Sequence, residues 1–183
     1  MTTRVVLTGP ECSGKSTLAR ALAGELSAPC VPEASRLLAE AMAPELLSAA
    51  TVEPIAHLTM RLADEALAHA PGFALFDTDL VSTIVYARHY YGACPAWIVD
   101  EARRRQGDLY LLCLPDLLWI PDGIRDRPAF REELRDAFRR TLAEIGATVR
   151  EISGQGAARL DAARAVLADF SARPEAAATR RAD

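Results

Sequence analysis

Near the start of the chain, Gly9-Pro10-Glu11-Cys12-Ser13-Gly14-Lys15-Ser16 sets two glycines, a lysine and a hydroxyl at fixed spacing. The chemistry that needs this pattern is the holding of phosphates. Gly9 and Gly14 let the backbone curl until successive N–H groups point inward at an anion. Lys15 then reaches the β- and γ-phosphates of a nucleotide, and Ser16 offers a hydroxyl ligand to Mg2+. Thr17 adds a contact to the α-phosphate. Gly9, Glu11, Cys12, Ser13, Gly14, Lys15, Ser16 and Thr17 are therefore the candidate nucleotide-binding residues, with ATP and Mg2+ as the implied cofactors. The loop alone says nucleotide, not reaction.

Reaction chemistry is looked for in the acids and arginines. Phe73-Ala74-Leu75-Phe76 is a continuous apolar run that ends in Asp77. That is the Walker B pattern, in which a buried strand delivers a carboxylate at its end to orient Mg2+ or its water shell. Asp79 follows two residues later, and Glu33 follows Pro29-Cys30-Val31-Pro32. Transfer of a phosphoryl group to a hydroxyl needs a group to accept or orient the hydroxyl proton. Glu33 is the first candidate. Asp79 is the second, and it could instead hold ribose hydroxyls or cap the helix that follows. Arg36 could contact the substrate or the transferred phosphoryl group. Asp122-Gly123-Ile124-Arg125-Asp126-Arg127 reads as a lid with a glycine hinge, closing Arg125 and Arg127 on the transferred group. Arg127, Arg131, Arg135 and Arg139 recur every four residues beside Glu132, Glu133 and Asp136, which reads as a solvated helix face with local ion pairs. Only Arg127, nearest the lid, is a plausible phosphate ligand in that series.

These residues need elements to place them. Val5-Val6-Leu7 reads as a buried strand over about 4–8, and Leu18, Leu22 and Leu26 give helical spacing over 15–27. Strand, glycine loop and helix is the context that a phosphate loop requires. Residues 29–32 form a weak second strand whose prolines suit an edge. Helices are expected over 34–43 and over 52–70, the latter capped by Thr51 with Glu53 in its first turn. A strand over 73–77 is followed by helices over 80–91 and 96–106. Asp108 to Pro115 is the next buried strand, and Phe130, Leu134, Phe138 and Leu142 mark an amphipathic helix. Thr148 to Ile152 is the last strand, and Leu160, Ala163, Leu167 and Phe170 mark the final helix. Alternating strands and helices imply a parallel sheet covered on both faces. The expected class is α/β: a three-layer P-loop NTPase fold with five parallel strands in the order 2-3-1-4-5. Ligands in such sheets sit beyond the C-terminal strand ends, so the glycine loop, Glu33, Asp77 and the 119–127 loop should converge.

Bulk properties narrow the class. At 183 residues the chain reads as one domain over 1–172, with an Ala-, Arg- and Pro-rich tail over 173–183 that is expected to be disordered. The net charge of −4 argues against general nucleic-acid binding. Cys12, Cys30, Cys94 and Cys113 are scattered without a metal-binding spacing, and free thiols suit a cytoplasmic setting. No apolar run approaches a membrane span, and no signal peptide is visible. GTPases would need a base-reading N-K-x-D, which is missing, and AAA+ motors are usually larger. Size and the arginine loop favour a small-molecule kinase.

Four segments together resemble the ribosylnicotinamide kinase domain of NadR-type NAD-biosynthesis proteins and their stand-alone relatives. They are GPECSGKST at 9–17, PEASR at 32–36, FDTD at 76–79 followed by Thr83, and WIPDGIR at 119–125. The resemblance implies ATP- and Mg2+-dependent phosphorylation of the 5′-hydroxyl of nicotinamide riboside, and it spans residues 4 to about 170. It implies substrate contacts from Glu33, Arg36, Asp79, Trp119 and Asp122. Trp119 would stack on the flat nicotinamide cation, or else pack in the core. Tyr86, Tyr90 and Tyr91 are pocket-wall candidates with the same alternative. Gly154, after the last strand, would lie against adenine. Ala34 stands where the family carries an aromatic residue. The DNA-binding and adenylyltransferase functions of the multi-domain relatives do not carry over, for want of room. The alternatives are a kinase of another nucleoside or nucleoside monophosphate, and a nucleotide-binding regulator.

Overall fold

In the computed structural model, residues 2–42, 47–70, 72–118 and 130–172 are described. The tail, the 119–127 loop and with it Trp119, Asp122, Arg125 and Arg127 lie outside the described residues.

The sequence of β1 (Thr3–Thr8) already dictates a sheet buried on both sides. Successive side chains of a strand point to opposite faces, and here both sets are apolar. Val5 and Leu7 enter one core with Leu18 and Leu22 of α1 (Lys15–Leu26) and Ala163 and Leu167 of α7 (Gly156–Ser171). Val6 enters the other with Ile84 of α4 (Leu80–Tyr91), Ile98 of α5 (Ala96–Arg104), and Leu134 and Phe138 of α6 (Arg131–Glu144). Ala56 and Ala63 of α3 (Val52–Leu67) close the same face.

Beside β1 lie β3 (Phe73–Asp77) and β4 (Leu109–Cys113), both parallel to it. β2 (Cys30–Val31) pairs with β3 and β5 (Val149–Ile152) with β4. The five-stranded sheet thus has the order β2-β3-β1-β4-β5, all parallel, as the alternating pattern predicts. Register matters for the site. Leu7 is opposite Asp77, so the acid that ends β3 stands level with the end of β1, where the glycine loop begins.

Two boundaries differ from the sequence expectation for local reasons. Thr51 does not cap α3 with its side chain. Its hydroxyl turns back to Ser48, donating to the Ser48 carbonyl at 2.7 Å and accepting from the Ser48 N–H at 3.1 Å, in a short 3-10 turn over Ala49–Thr51. The helix itself ends at Leu67, before Pro71-Gly72 is reached. α2 (Ala34–Met42) starts directly after Glu33, whose carbonyl accepts from the Leu37 N–H at 3.3 Å. No helix among the described residues is long and apolar enough to cross a membrane.

Candidate active site

The glycine loop is held in a shape that only part of the amino-acid alphabet tolerates. Gly9 has φ of +129°, and a Cβ there would sit 2.6 Å from the Cys113 carbonyl oxygen at the end of β4. Gly14 has φ of +77° at the start of α1, and a Cβ there would sit 2.8 Å from Leu117 Cδ1. Cys12 between them is also left-handed, at φ 52°. Ser13 Oγ and Lys15 Nζ both donate to the Pro10 carbonyl, each at 2.7 Å, and so close the loop on itself. The positive φ angles at Gly9, Cys12 and Gly14 bend the backbone in the way that aims successive N–H groups at an anion.

Loop, Glu33 and α2 surround one cavity of about 170 Å³, lined by Glu11, Cys12, Gly14, Lys15, Ser16, Thr17, Glu33 and Arg36. Eight residues singled out in the sequence are therefore brought together at the C-terminal edge of the sheet. Lys15 and Glu33 are buried, and Ser35 Oγ donates to Glu33 Oε1 at 2.7 Å. Asp77 joins the group through a hydrogen bond from Ser16. Burial pushes its carboxyl above the usual range, against the pull of Ser16 and Lys15, while neighbouring Glu33 adds to the rise. Its Oδ1 is buried without a hydrogen-bond partner among the described residues. Thr8 Oγ1, at the end of β1, is likewise buried and has none among them. A serine hydroxyl beside a half-satisfied aspartate is the hard-oxygen pair that Mg2+ accepts when phosphates and water complete its shell. These residues fit the ion. Among the described residues there is no cluster of three or more His, Cys, Asp or Glu suited to a metal, and such a protein-only cage is not how Mg2+ is usually held.

Asp79 is placed elsewhere. Its Oδ1 accepts from the Val81 N–H at 2.9 Å, capping α4, and its Oδ2 accepts from the Tyr110 hydroxyl at 2.6 Å. Tyr110 in turn accepts from the Gly107 N–H. Burial raises the Asp79 carboxyl above its ordinary range and lifts the Tyr110 phenol well above its own. Asp79 lines a separate small cavity, with Arg4 and Thr59 among the other residues around it. Both of its oxygens are engaged by the fold. Gly154, at φ +95°, donates its N–H to Asp116 Oδ2 at 2.7 Å and gives its carbonyl to Arg159.

Three functional-looking contacts were not visible in the sequence pattern as read. Arg131 is not part of a solvated face: its Nη1 donates to the Leu117 carbonyl at 3.0 Å and its Nη2 to the Cys12 carbonyl at 3.2 Å, tying α6 to the glycine loop. The signal was its place one turn before Leu134 and two before Phe138, on the apolar side of α6. Arg159, only 4% exposed, donates to the carbonyls of Leu114, Ile152 and Gly154 and pairs with Asp116. It falls on the stripe of Ala163 and Leu167, where an arginine signals a buried anchor. Tyr86 donates to Glu11 Oε2 at 2.7 Å, and its ring stacks on Tyr90 and meets Phe138 edge-on.

A protein family described as an AAA domain matches residues 4–159. Among solved structures, a NadR protein in complex with NR is 24% identical, with a TM-score of 0.77 over 94% of this chain and 52% of that chain. A NadR protein in complex with NAD and AMP-PNP is 22% identical, with a TM-score of 0.73 over 94% and 50%. Thymidylate kinase from Ehrlichia chaffeensis is 16% identical, with a TM-score of 0.63 over 90% and 98%. This chain spans about half the length of the two NadR chains. At these identities the likeness is one of fold. No curated protein matches the chain.

Proposed function

Given that the chain belongs to the AAA domain family, whose match covers residues 4–159, we propose that it is an ATP- and Mg2+-dependent kinase of nicotinamide riboside, forming nicotinamide mononucleotide in the cytoplasm. The observation that carries the phosphoryl-transfer reading is the convergence of Lys15, Ser16, Glu33 and Arg36 on one cavity, with Asp77 bonded to Ser16 behind it. The acceptor rests on the sequence resemblance and on the fold likeness to a NadR protein in complex with NR.

In this reading the 5′-oxygen of the nucleoside attacks the γ-phosphorus of ATP. A new P–O bond forms, the bond to the bridging oxygen breaks, and ADP leaves. Glu33 takes the proton of the attacking hydroxyl. Lys15 and the loop amides hold the phosphates, and Lys15 meets the charge that develops on the transferred group. Arg36 holds the acceptor side. Ser16 and Asp77 would hold Mg2+, which would supply charge neutralisation to the nucleotide phosphates. The sequence pattern assigns the lid role to Arg125 and Arg127, and the resemblance assigns acceptor contacts to Trp119 and Asp122.

The family description favours a second reading, a nucleotide-binding regulator that hydrolyses ATP without an acceptor. An acceptor panel separates the two. Nicotinamide riboside, other nucleosides and their 5′-monophosphates are each incubated with ATP and Mg2+, and ADP formation and phosphorylated product are followed. The kinase reading expects product from nicotinamide riboside and little ADP without acceptor. Slow ADP release that no acceptor changes would overturn it.

A further inference from the structure

Glu11 is out of place in a loop built for phosphates. A carboxylate accepts hydrogen bonds and donates none, and so does a phosphate oxygen; side by side they only repel. Yet Glu11 is 2% exposed and lines the cavity beside Lys15 and Ser16. One of its oxygens, Oε2, is fixed by the Tyr86 hydroxyl at 2.7 Å, across from α4. The other, Oε1, is buried with no hydrogen-bond partner among the described residues. A buried carboxylate oxygen left in that state is costly unless a ligand completes it.

We propose that Glu11, held by Tyr86, is the acceptor-recognition residue of the cavity, its Oε1 accepting a hydrogen bond from a ribose hydroxyl of an unphosphorylated nucleoside. This rests on the kinase reading above but not on the identity of the base. The missing partner must be a donor, which excludes the nucleotide phosphates. Mg2+ has its hard-oxygen pair in Ser16 and Asp77, which are already joined to each other. A nucleoside that presents its 5′-oxygen to the γ-phosphate carries its nearest remaining donors on the ribose, at the 2′- and 3′-hydroxyls, with the base farther away. Glu11 thus selects ribose over deoxyribose, since a site built to bond a hydroxyl rejects the analogue that lacks it.

The experiment compares the wild-type protein with Glu11→Leu, which removes both acceptor oxygens, and with Tyr86→Phe. Each is assayed with ATP and Mg2+ against nicotinamide riboside, three other ribonucleosides, the 2′-deoxy and 3′-deoxy counterparts of each, and the 5′-monophosphates. The wild type should prefer its ribonucleoside over one deoxy counterpart by roughly 10⁴-fold in kcat/KM, the discrimination that hydroxyl-bonding sites reach. In Glu11→Leu that ratio should fall below about a hundred, and Tyr86→Phe should lower it in the same direction. An unchanged ratio in Glu11→Leu overturns the proposal, as does a wild type that prefers monophosphates. A Glu11→Leu variant altered only in its Mg2+ requirement also overturns it, making Glu11 a metal ligand. If another ribonucleoside passes the ratio test while nicotinamide riboside is untouched, the acceptor named above falls and the role of Glu11 stands. If no acceptor is phosphorylated, both fall.

Discussion

Glu33 lines the cavity at 5% exposure while Ser35 Oγ holds Oε1 at 2.7 Å. That bond orients the carboxylate without neutralising it, which is what a proton acceptor needs. Glu33→Gln keeps the shape and the hydrogen-bonding capacity but removes the basicity. Its kcat for nucleoside phosphorylation should drop by about 10²–10⁴-fold, the usual share of general base catalysis, with the KM for ATP held. A variant that raises only the KM for the nucleoside would make Glu33 a binding residue instead. At this scale the loop and Asp77 were legible in the sequence because their motifs are local: each is a strand end plus a few residues. The engagement of Asp79 with Tyr110 and of Glu11 with Tyr86 was not, because those partners are 31 and 75 positions apart. Only the fold decides which of two nearby acids, Asp77 or Asp79, is turned toward the loop.

Elements were easiest to read where both ends carry a chemical stop. α4 begins at Asp79, whose side chain takes the Val81 N–H, and ends at Gly92 with φ of +79°; both signals are in the sequence, and the predicted 80–91 matches. α3 was read too long because its C-terminal end carries no such stop before Pro71, and the capping role given to Thr51 failed because Ser48 offered it a closer partner. The buried arginines expose a different limit. A spacing of four groups Arg131 with Arg135 and Arg139, but the helix repeats at 3.6, and the drift turns Arg131 inward. Arg159 shows what such a residue does. It joins the ends of β4 and β5 to the loops after them, and its Cδ lies 4.0 Å from where a Gly14 Cβ would be. Arg159→Met would keep the apolar stem and remove the arginine's bonds to three carbonyls and to Asp116. Asp116 is exposed and keeps the Gly154 N–H, so the loss is that of charged hydrogen bonds, about 1.5–3 kcal/mol, read as a lower midpoint in urea unfolding. The KM for ATP should rise as well, since the back of the glycine loop loses its support. A midpoint within error of the wild type would show that Arg159 is not the anchor described.

For the whole molecule, the C-terminal edge of the sheet keeps polar atoms in reserve. The core is saturated, with β1, β3 and β4 buried on both faces, whereas Asp77 Oδ1, Glu11 Oε1 and Thr8 Oγ1 at this edge are buried without partners among the described residues. This costs stability in the free protein and is offset on ligand binding, and pH reveals it. Burial raises the Asp77 carboxyl above its ordinary 3.8. Between 3.8 and the raised value the folded protein holds a proton that the unfolded chain has lost, so unfolding becomes easier as pH rises through that window. Above the raised value the loss is complete. Asp79 is shifted in the same direction, and Glu25, Asp136 and Glu144 in the opposite one. All four are untouched by Asp77→Asn, so they cancel in the difference between variant and wild type. The difference in Tm, Asp77→Asn minus wild type, should therefore be near zero at pH 4 and grow to a positive plateau by pH 7. An ATP analogue with Mg2+ at a hundred times its Kd should reverse the order. It stabilises the wild type by about 2.7 kcal/mol, roughly 5–11 °C for a domain of this size, while the asparagine variant gains much less. Thermal melts across pH, with and without nucleotide, read both effects. A negative plateau would mean that the Ser16–Asp77 pair stabilises the free fold rather than awaiting a cation.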